Sequence, residues 1–236
     1  MSPKLDQRSI LLDQGEMIKA IKSLPPSGKP VTFQDRVFVV HRNVFIPNID
    51  TTLLIENLRI KKGEGVLDVG TGAGVVAVIA ALTDAARVLA VDWNRDAVSN
   101  AKLNVSLHNV QGIVEVRVSD VFSNLGAEEK FDVIVANLPF MNRAASDIVE
   151  TAIWDTGLYT NRTFFCNVGG FLSDGGRVYF TQANFGALRD VLKLARRAGF
   201  YVKKLAERSA ELGKVFYLYE LTRVHDDRIP PPDLVV

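Results

Sequence analysis

A single cysteine, Cys166, and three scattered histidines, His41, His108 and His225, are all that the chain offers to a disulfide or a soft metal. One cysteine excludes an internal bridge, and ligands so dispersed make no zinc cluster. Charge of one sign is also lacking. The 28 Lys and Arg stand against 27 Asp and Glu, a formal net charge of +1. No whole-molecule field therefore draws the chain to nucleic acid or to an anionic membrane. Long apolar runs are missing as well, because Asp, Gly or Lys interrupts each of them before about 18 residues, which excludes a membrane-spanning helix. The start, Met1-Ser-Pro-Lys-Leu-Asp6, has no signal-peptide core, so a cytoplasmic location is expected. What is present is 236 residues, 47% hydrophobic and 23% charged, enough to bury a full-sized α/β core.

Residues 1–60 read as a small N-terminal accessory lobe: a helical stretch from Leu11 to Ser23, a breaker run Pro25-Pro-Ser-Gly-Lys-Pro30, and alternation from Val31 to Val40 that predicts a hairpin. From residue 61 to 224 short apolar strands alternate with helices. The strands are expected at Gly65–Val69, Arg87–Val91, Ile113–Val118, Asp132–Ala136, Arg177–Thr181, Tyr201–Leu205 and Phe216–Leu221. The helices are expected at Gly74–Leu82, Ala97–His108 and Phe185–Ala198. This pattern predicts a Rossmann-like, doubly wound α/β sheet of seven strands. Only Ala206 to Lys214 separates the last two strands, too little for a crossover helix, so the final strand is expected to return antiparallel. Residues 225–236, with Pro230-Pro-Pro232, are expected to form an extended tail.

Val66-Leu-Asp-Val-Gly-Thr-Gly-Ala-Gly74 places a buried strand directly before a turn with Gly70, Gly72 and Gly74, then an apolar helix. A ligand can lie against backbone there, because alternate residues lack a Cβ and the helix start presents unpaired N–H groups. The dinucleotide fingerprint wants glycine at position 75, which is Val75, and the Asp68 carboxylate repels a pyrophosphate while attracting an ammonium. Asp92, at the end of the next strand, is placed to accept both hydroxyls of a ribose. Ser119-Asp-Val121 offers a carboxylate, Asp120, for an adenine amino group and an apolar wall, Val121, for its ring. The alternative is that the glycines only permit tight packing and that Asp92 and Asp120 are caps.

These residues resemble the class I S-adenosylmethionine-dependent methyltransferases, whose first motif is similar to Leu67-Asp-Val-Gly-Thr-Gly-Ala-Gly74 and whose second ends in an acid such as Asp92. Asn137-Leu-Pro-Phe140 resembles the Asn-Pro-Pro-Tyr motif of enzymes that methylate planar nitrogens. The segment from Phe45 to Glu56 resembles the Ile-Pro-Arg-Pro-Asp-Thr-Glu-Leu-Leu run of the protein-glutamine methyltransferases that act on release factors. The resemblance implies S-adenosylmethionine as cofactor. Asp68, Gly70, Thr71, Gly72 and Gly74 would hold its methionine part, Asp92 the ribose, and Asp120 with Val121 the adenine. Phe45, Pro47 and Thr51 of the preceding segment, Trp93 beside Asp92, and Asn137 join that expected cofactor site. Leu138 and Phe140 depart from the motif, as do Asn48, Ile49 and Thr52 from the preceding run. The residues before Phe45 are fewer than the helical domain of the release-factor enzymes, so a smaller acceptor is expected.

Asn137, Leu138, Pro139 and Phe140 are the expected catalytic residues. The Asn137 side-chain oxygen and the Leu138 carbonyl can accept the two hydrogens of a planar NH2, leaving its lone pair free to attack. Pro139 fixes the backbone, and the Phe140 ring can stack on the acceptor. Asp147, Glu150 and Asp155 read as an acidic solvated helix, with pocket carboxylates beside Trp154 and Tyr159 as the alternative, and Cys166 reads as a core residue. The expected activity is N-methylation of a small molecule or an amino-acid side chain. Methylation of a ribosomal or translation protein or of structured RNA is one alternative, and a non-catalytic cofactor-binding partner subunit is another. No metal and no membrane partner are expected.

Overall fold

The computed structural model describes residues 6–224. The expected tail at 225–236 lies outside them. Helix α1 (Gln7–Lys22) is capped by Asp6, whose carboxylate accepts from the Arg8 and Ser9 N–H groups. It buries Ile10, Gln14, Ile18 and Ile21, one face at helical spacing. Strands β1 (Lys29–Phe33) and β2 (Arg36–Val40) form a hairpin whose two turn residues, Gln34 and Asp35, both have positive φ, as a two-residue turn of matching twist requires.

Seven strands follow in the order β5-β4-β3-β6-β7-β9-β8. They are β3 (Gly65–Val69), β4 (Arg87–Asp92), β5 (Val114–Val118), β6 (Phe131–Ala136), β7 (Leu172–Ala183), β8 (Phe200–Ser209) and β9 (Val215–Arg223). Strands β3 to β7 pair in parallel, while β9 lies antiparallel between β7 and β8, as the short connection required. Helices α2 (Ile49–Asn57), α3 (Val75–Thr83), α4 (Arg95–Leu107), α5 (Tyr159–Phe171) and α6 (Leu188–Arg197) cover the sheet. Two apolar clusters result. One joins α2, α3, α4 and the hairpin to one face, and the other joins α5 and α6 to the opposite face.

The hairpin is knitted to α4 by two fully buried asparagines. Asn104 accepts from the Val39 N–H at 2.9 Å and donates to the carbonyls of Val39 and Ala73. Asn100 accepts from the His41 N–H and donates to the Val39 carbonyl. Two helices depart from the sequence reading. Helix α2 packs on β7, β8 and β9, and α5 carries an exposed Cys166, which corrects its expected place in the core. No acidic helix forms at Asp147–Asp155, because Asp147 and Glu150 are spent on local turns and on Lys22, leaving 3-10 turns at Glu150–Ala152 and Thr156–Leu158. Among the described residues no helix is long and apolar enough to cross a membrane, and no group of three or more side chains could hold a metal.

Candidate active site

Strand order reverses between β3 and β6, and a cavity of about 640 Å³ opens at their carboxyl ends, where α/β sheets place ligands. The glycine turn forms its floor. Gly70 and Thr71 both donate to the Val91 carbonyl, and Gly72, with φ +55, has open space where a Cβ would stand. Helix α3 then starts with no side-chain cap, so its first N–H groups face the turn. Gly74 is not among the lining residues. Its φ of +79 and a would-be Cβ 3.0 Å from the Ala101 backbone mark it as a packing glycine between α3 and α4. Gly74→Ala is expected to cost about 1–3 kcal/mol, read as a lower urea midpoint at unchanged slope.

The carboxylates follow from the strand ends. Asp68 is buried, its Oδ2 accepts from the Thr71 hydroxyl at 2.7 Å, and burial, with the neighbouring Asp92 charge adding to it, pushes its pKa up to about 7. Asp92 accepts from the Gly72 and Asn94 N–H groups, both at 2.9 Å, and burial raises its pKa despite these bonds. Asp120 accepts from the Tyr159 hydroxyl at 2.8 Å, and Val121 holds φ +50, a costly conformation for a β-branched residue. Trp93, half exposed, stands at the rim with Asn94 and Ala97.

Across the cavity lies the loop that follows β6. Asn137, Leu138, Pro139 and Phe140 all line it. The Pro139 carbonyl accepts from Asn161 Nδ2, the Phe140 carbonyl from the Ala187 N–H and the Met141 carbonyl from the Asp155 N–H. Among the described residues no donor reaches the Leu138 carbonyl. The Asn137 oxygen accepts from the Thr181 hydroxyl, which leaves its second lone pair, and its Nδ2 lies 3.5 Å from Thr51 Oγ1. Phe140 is 8% exposed and packs against Phe185 and Phe216.

The N-terminal helix and the segment after the loop complete the walls. Phe45 packs with Ile18, Ile21, Val149 and Ile153, and the Trp154 Nε1–H donates to Gln14. Lys214, between β8 and β9, pairs with Asp13 of α1 at 2.8 Å. Of the residues expected from the sequence, all but Gly74 line this one cavity. Asp13, Gln14, Asp50, Thr181, Asn161 and Lys214 were not foreseen. Asp50 alone carried a signal, since it stands inside the run Phe45–Glu56 that anchors the resemblance.

Residues 36–198 match the family described as methyltransferase small domain. The chain belongs to that family. It is 29% identical over 170 residues, 70% of this chain and 84% of the other, to a candidate protein N5-glutamine methyltransferase of Methanocaldococcus jannaschii. It is 42% identical over 90 residues to a ribosomal protein L11 methyltransferase of Anoxybacillus flavithermus, spanning 37% of this chain and 28% of that one. The fold is shared with a 16S rRNA N2 methyltransferase of T. thermophilus solved with AdoMet and guanosine, at TM-score 0.64, 20% identity, and 83% and 50% coverage. The enzyme class is S-adenosylmethionine-dependent methyltransferase.

The cavity fits that cofactor chemically. Asp13, Asp50, Asp68, Asp92, Asp120 and Asp155 line it, against Lys214 as the sole cation among the described lining residues. An acidic cavity of this kind suits a ligand bearing a sulfonium and an ammonium and disfavours a pyrophosphate. Asp68, buried with no cationic partner at hand, is the group such an ammonium would satisfy.

Proposed function

We propose that this enzyme methylates a planar nitrogen, with the amide of a glutamine side chain in a protein as the acceptor. The observation that carries the reading is a pair of free acceptors on adjacent cavity-lining residues: the second lone pair of the Asn137 oxygen and the Leu138 carbonyl, which no donor among the described residues reaches. When bound, S-adenosylmethionine supplies an electrophilic methyl group. In this reading Asp68 holds its ammonium, Asp92 its ribose hydroxyls, and Asp120 and Val121 its adenine.

Asn137 and Leu138 accept the two N–H groups of the acceptor and hold its nitrogen with the lone pair directed at the methyl. An amide is neutral at pH 7 and needs no base before attack; once methylated it would release one N–H proton to water and become a neutral N-methyl amide. As positive charge builds on the nitrogen, both oxygens bind it more tightly, so the stabilisation is selective for the transition state. The clamps on the Pro139, Phe140 and Met141 carbonyls keep that pair preorganised. The relative in Methanocaldococcus jannaschii, over 84% of its length, supports a protein glutamine as the acceptor.

Mass spectrometry of a protein extract incubated with the enzyme and deuteromethyl-labelled S-adenosylmethionine tests the reading. Label on glutamine side chains is the expected result, and label confined to RNA or to small metabolites overturns it.

Asp68 also sets a pH dependence. The folded chain keeps on Asp68 a proton that the unfolded chain releases near the ordinary carboxylate value. Its contribution to stability is therefore greatest in acid and is lost as pH rises through about 7. Asp50 and Asp92, also raised by burial, act in the same sense. Binding an ammonium requires the ionised form, so affinity for S-adenosylhomocysteine is expected to rise from about pH 6 to pH 8, with proton release. Calorimetry in buffers of different ionisation enthalpy reads that proton, and Asp68→Asn removes most of it together with much of the affinity.

A further inference from the structure

We propose that Asp50 decides which end of the Asn137 amide faces the acceptor. The inference rests on the reading that Asn137 binds an acceptor NH2 through its oxygen. An asparagine amide has two ends of nearly equal shape and opposite hydrogen-bonding sense. With the oxygen toward the acceptor the site binds an N–H; with the NH2 there it repels one. Something must break that symmetry.

The structure contains a relay of donors with one fixed end. Asn137 Nδ2 lies 3.5 Å from Thr51 Oγ1, Thr51 Oγ1 donates to Asp50 Oδ1 at 3.3 Å, and Thr181 Oγ1 donates to Asn137 Oδ1. Both threonine hydroxyls can donate or accept, so neither by itself fixes a direction. Asp50 Oδ1, which already accepts from the Thr51 N–H, holds no hydrogen and can only accept. It therefore draws the Thr51 hydrogen to itself, turns the Thr51 lone pairs toward Asn137, and leaves the amide NH2 as the group that satisfies them. The Asn137 oxygen then faces Thr181 and the cavity.

Asp50 is built to stay in that role. It stands in the first turn of α2, where the helix dipole favours a negative charge, and its Oδ1 accepts from the Thr51 N–H at 2.6 Å. At 3% exposure it has little room to change rotamer. Burial raises its pKa, while the Thr51 N–H and the Asn137 amide pull it back down.

Asp50→Asn keeps the shape and removes the fixed polarity. NMR of protein labelled on asparagine nitrogen and threonine methyls reads the orientation directly. In the wild type the Asn137 NH2 should show cross-peaks to the Thr51 methyl and not to that of Thr181. In Asp50→Asn it should show both, with S-adenosylhomocysteine affinity within about threefold and kcat for the glutamine acceptor reduced while its KM is nearly kept. Thr51→Val, which cuts the relay and leaves the carboxylate, should give the same loss of a single orientation and serves if Asp50→Asn folds poorly. Cross-peaks confined to the Thr51 methyl in Asp50→Asn, or no cross-peak from the Asn137 NH2 to the Thr181 methyl in Thr51→Val, overturn the proposal whatever the acceptor is. An amide that turns while methyl transfer stays unchanged supports the role of Asp50 and overturns the reading of Asn137 as the acceptor-binding group.

Discussion

Asp92→Ala is expected to weaken binding of S-adenosylhomocysteine on the order of 100-fold. The carboxylate would accept two ribose hydroxyls through charge-assisted bonds, each contributing about 1.5 kcal/mol or more, and about 1.4 kcal/mol is a factor of ten. It also accepts from the Gly72 and Asn94 N–H groups, so its removal loosens the turn on which the ligand would lie. Global stability should change little, because the lost turn bonds are set against a relieved repulsion. Asp92 is a partly buried acid with a raised pKa beside Asp68, and deleting it relieves a repulsion in the folded chain. Calorimetry and urea denaturation on the same preparation separate the two effects. A wild-type affinity, or a loss of affinity matched by unfolding, contradicts the assignment.

Asn137→Ala is expected to lower methyl transfer about 100- to 1,000-fold in kcat while changing S-adenosylhomocysteine affinity by no more than about threefold, the signature of a group that acts on the transition state. The oxygen it removes is one of two acceptors for the attacking nitrogen, and the Leu138 carbonyl cannot fix the nitrogen alone. Methyl incorporation into the glutamine acceptor under single turnover reads the first quantity and calorimetry the second. If cofactor affinity falls in step with turnover, Asn137 serves the cofactor rather than the acceptor. If the variant binds cofactor and turns over normally, Asn137 serves neither.

Much of the sheet was legible because buried parallel strands are short apolar runs cut off by polar turns. Gly65–Val69 is a strand at those same bounds, and the antiparallel return of β9 followed from the nine residues before Val215. Helix α2 was not legible. Leu53, Leu54 and Ile55 are buried in succession, so its nine residues carry no clean stripe. Gly169 and Gly170 hid α5, which starts from a left-handed Leu158 that no propensity announces. At the site, the glycine turn and its acids could be read because each lies at a strand end. The groups that orient them could not. Thr181 reaches Asn137 from 44 residues away and Lys214 reaches Asp13 from 201, partnerships that exist only once the chain has closed.

The central claim is that one cavity brings a methyl donor against the Asn137 amide. A crystal structure of the protein with S-adenosylhomocysteine tests it most directly. The expected result has the ribose hydroxyls on Asp92, the ammonium on Asp68, and the sulfur facing the Asn137 oxygen and the Leu138 carbonyl. A ligand seated outside this cavity, or a sulfur turned away from Asn137, contradicts the claim.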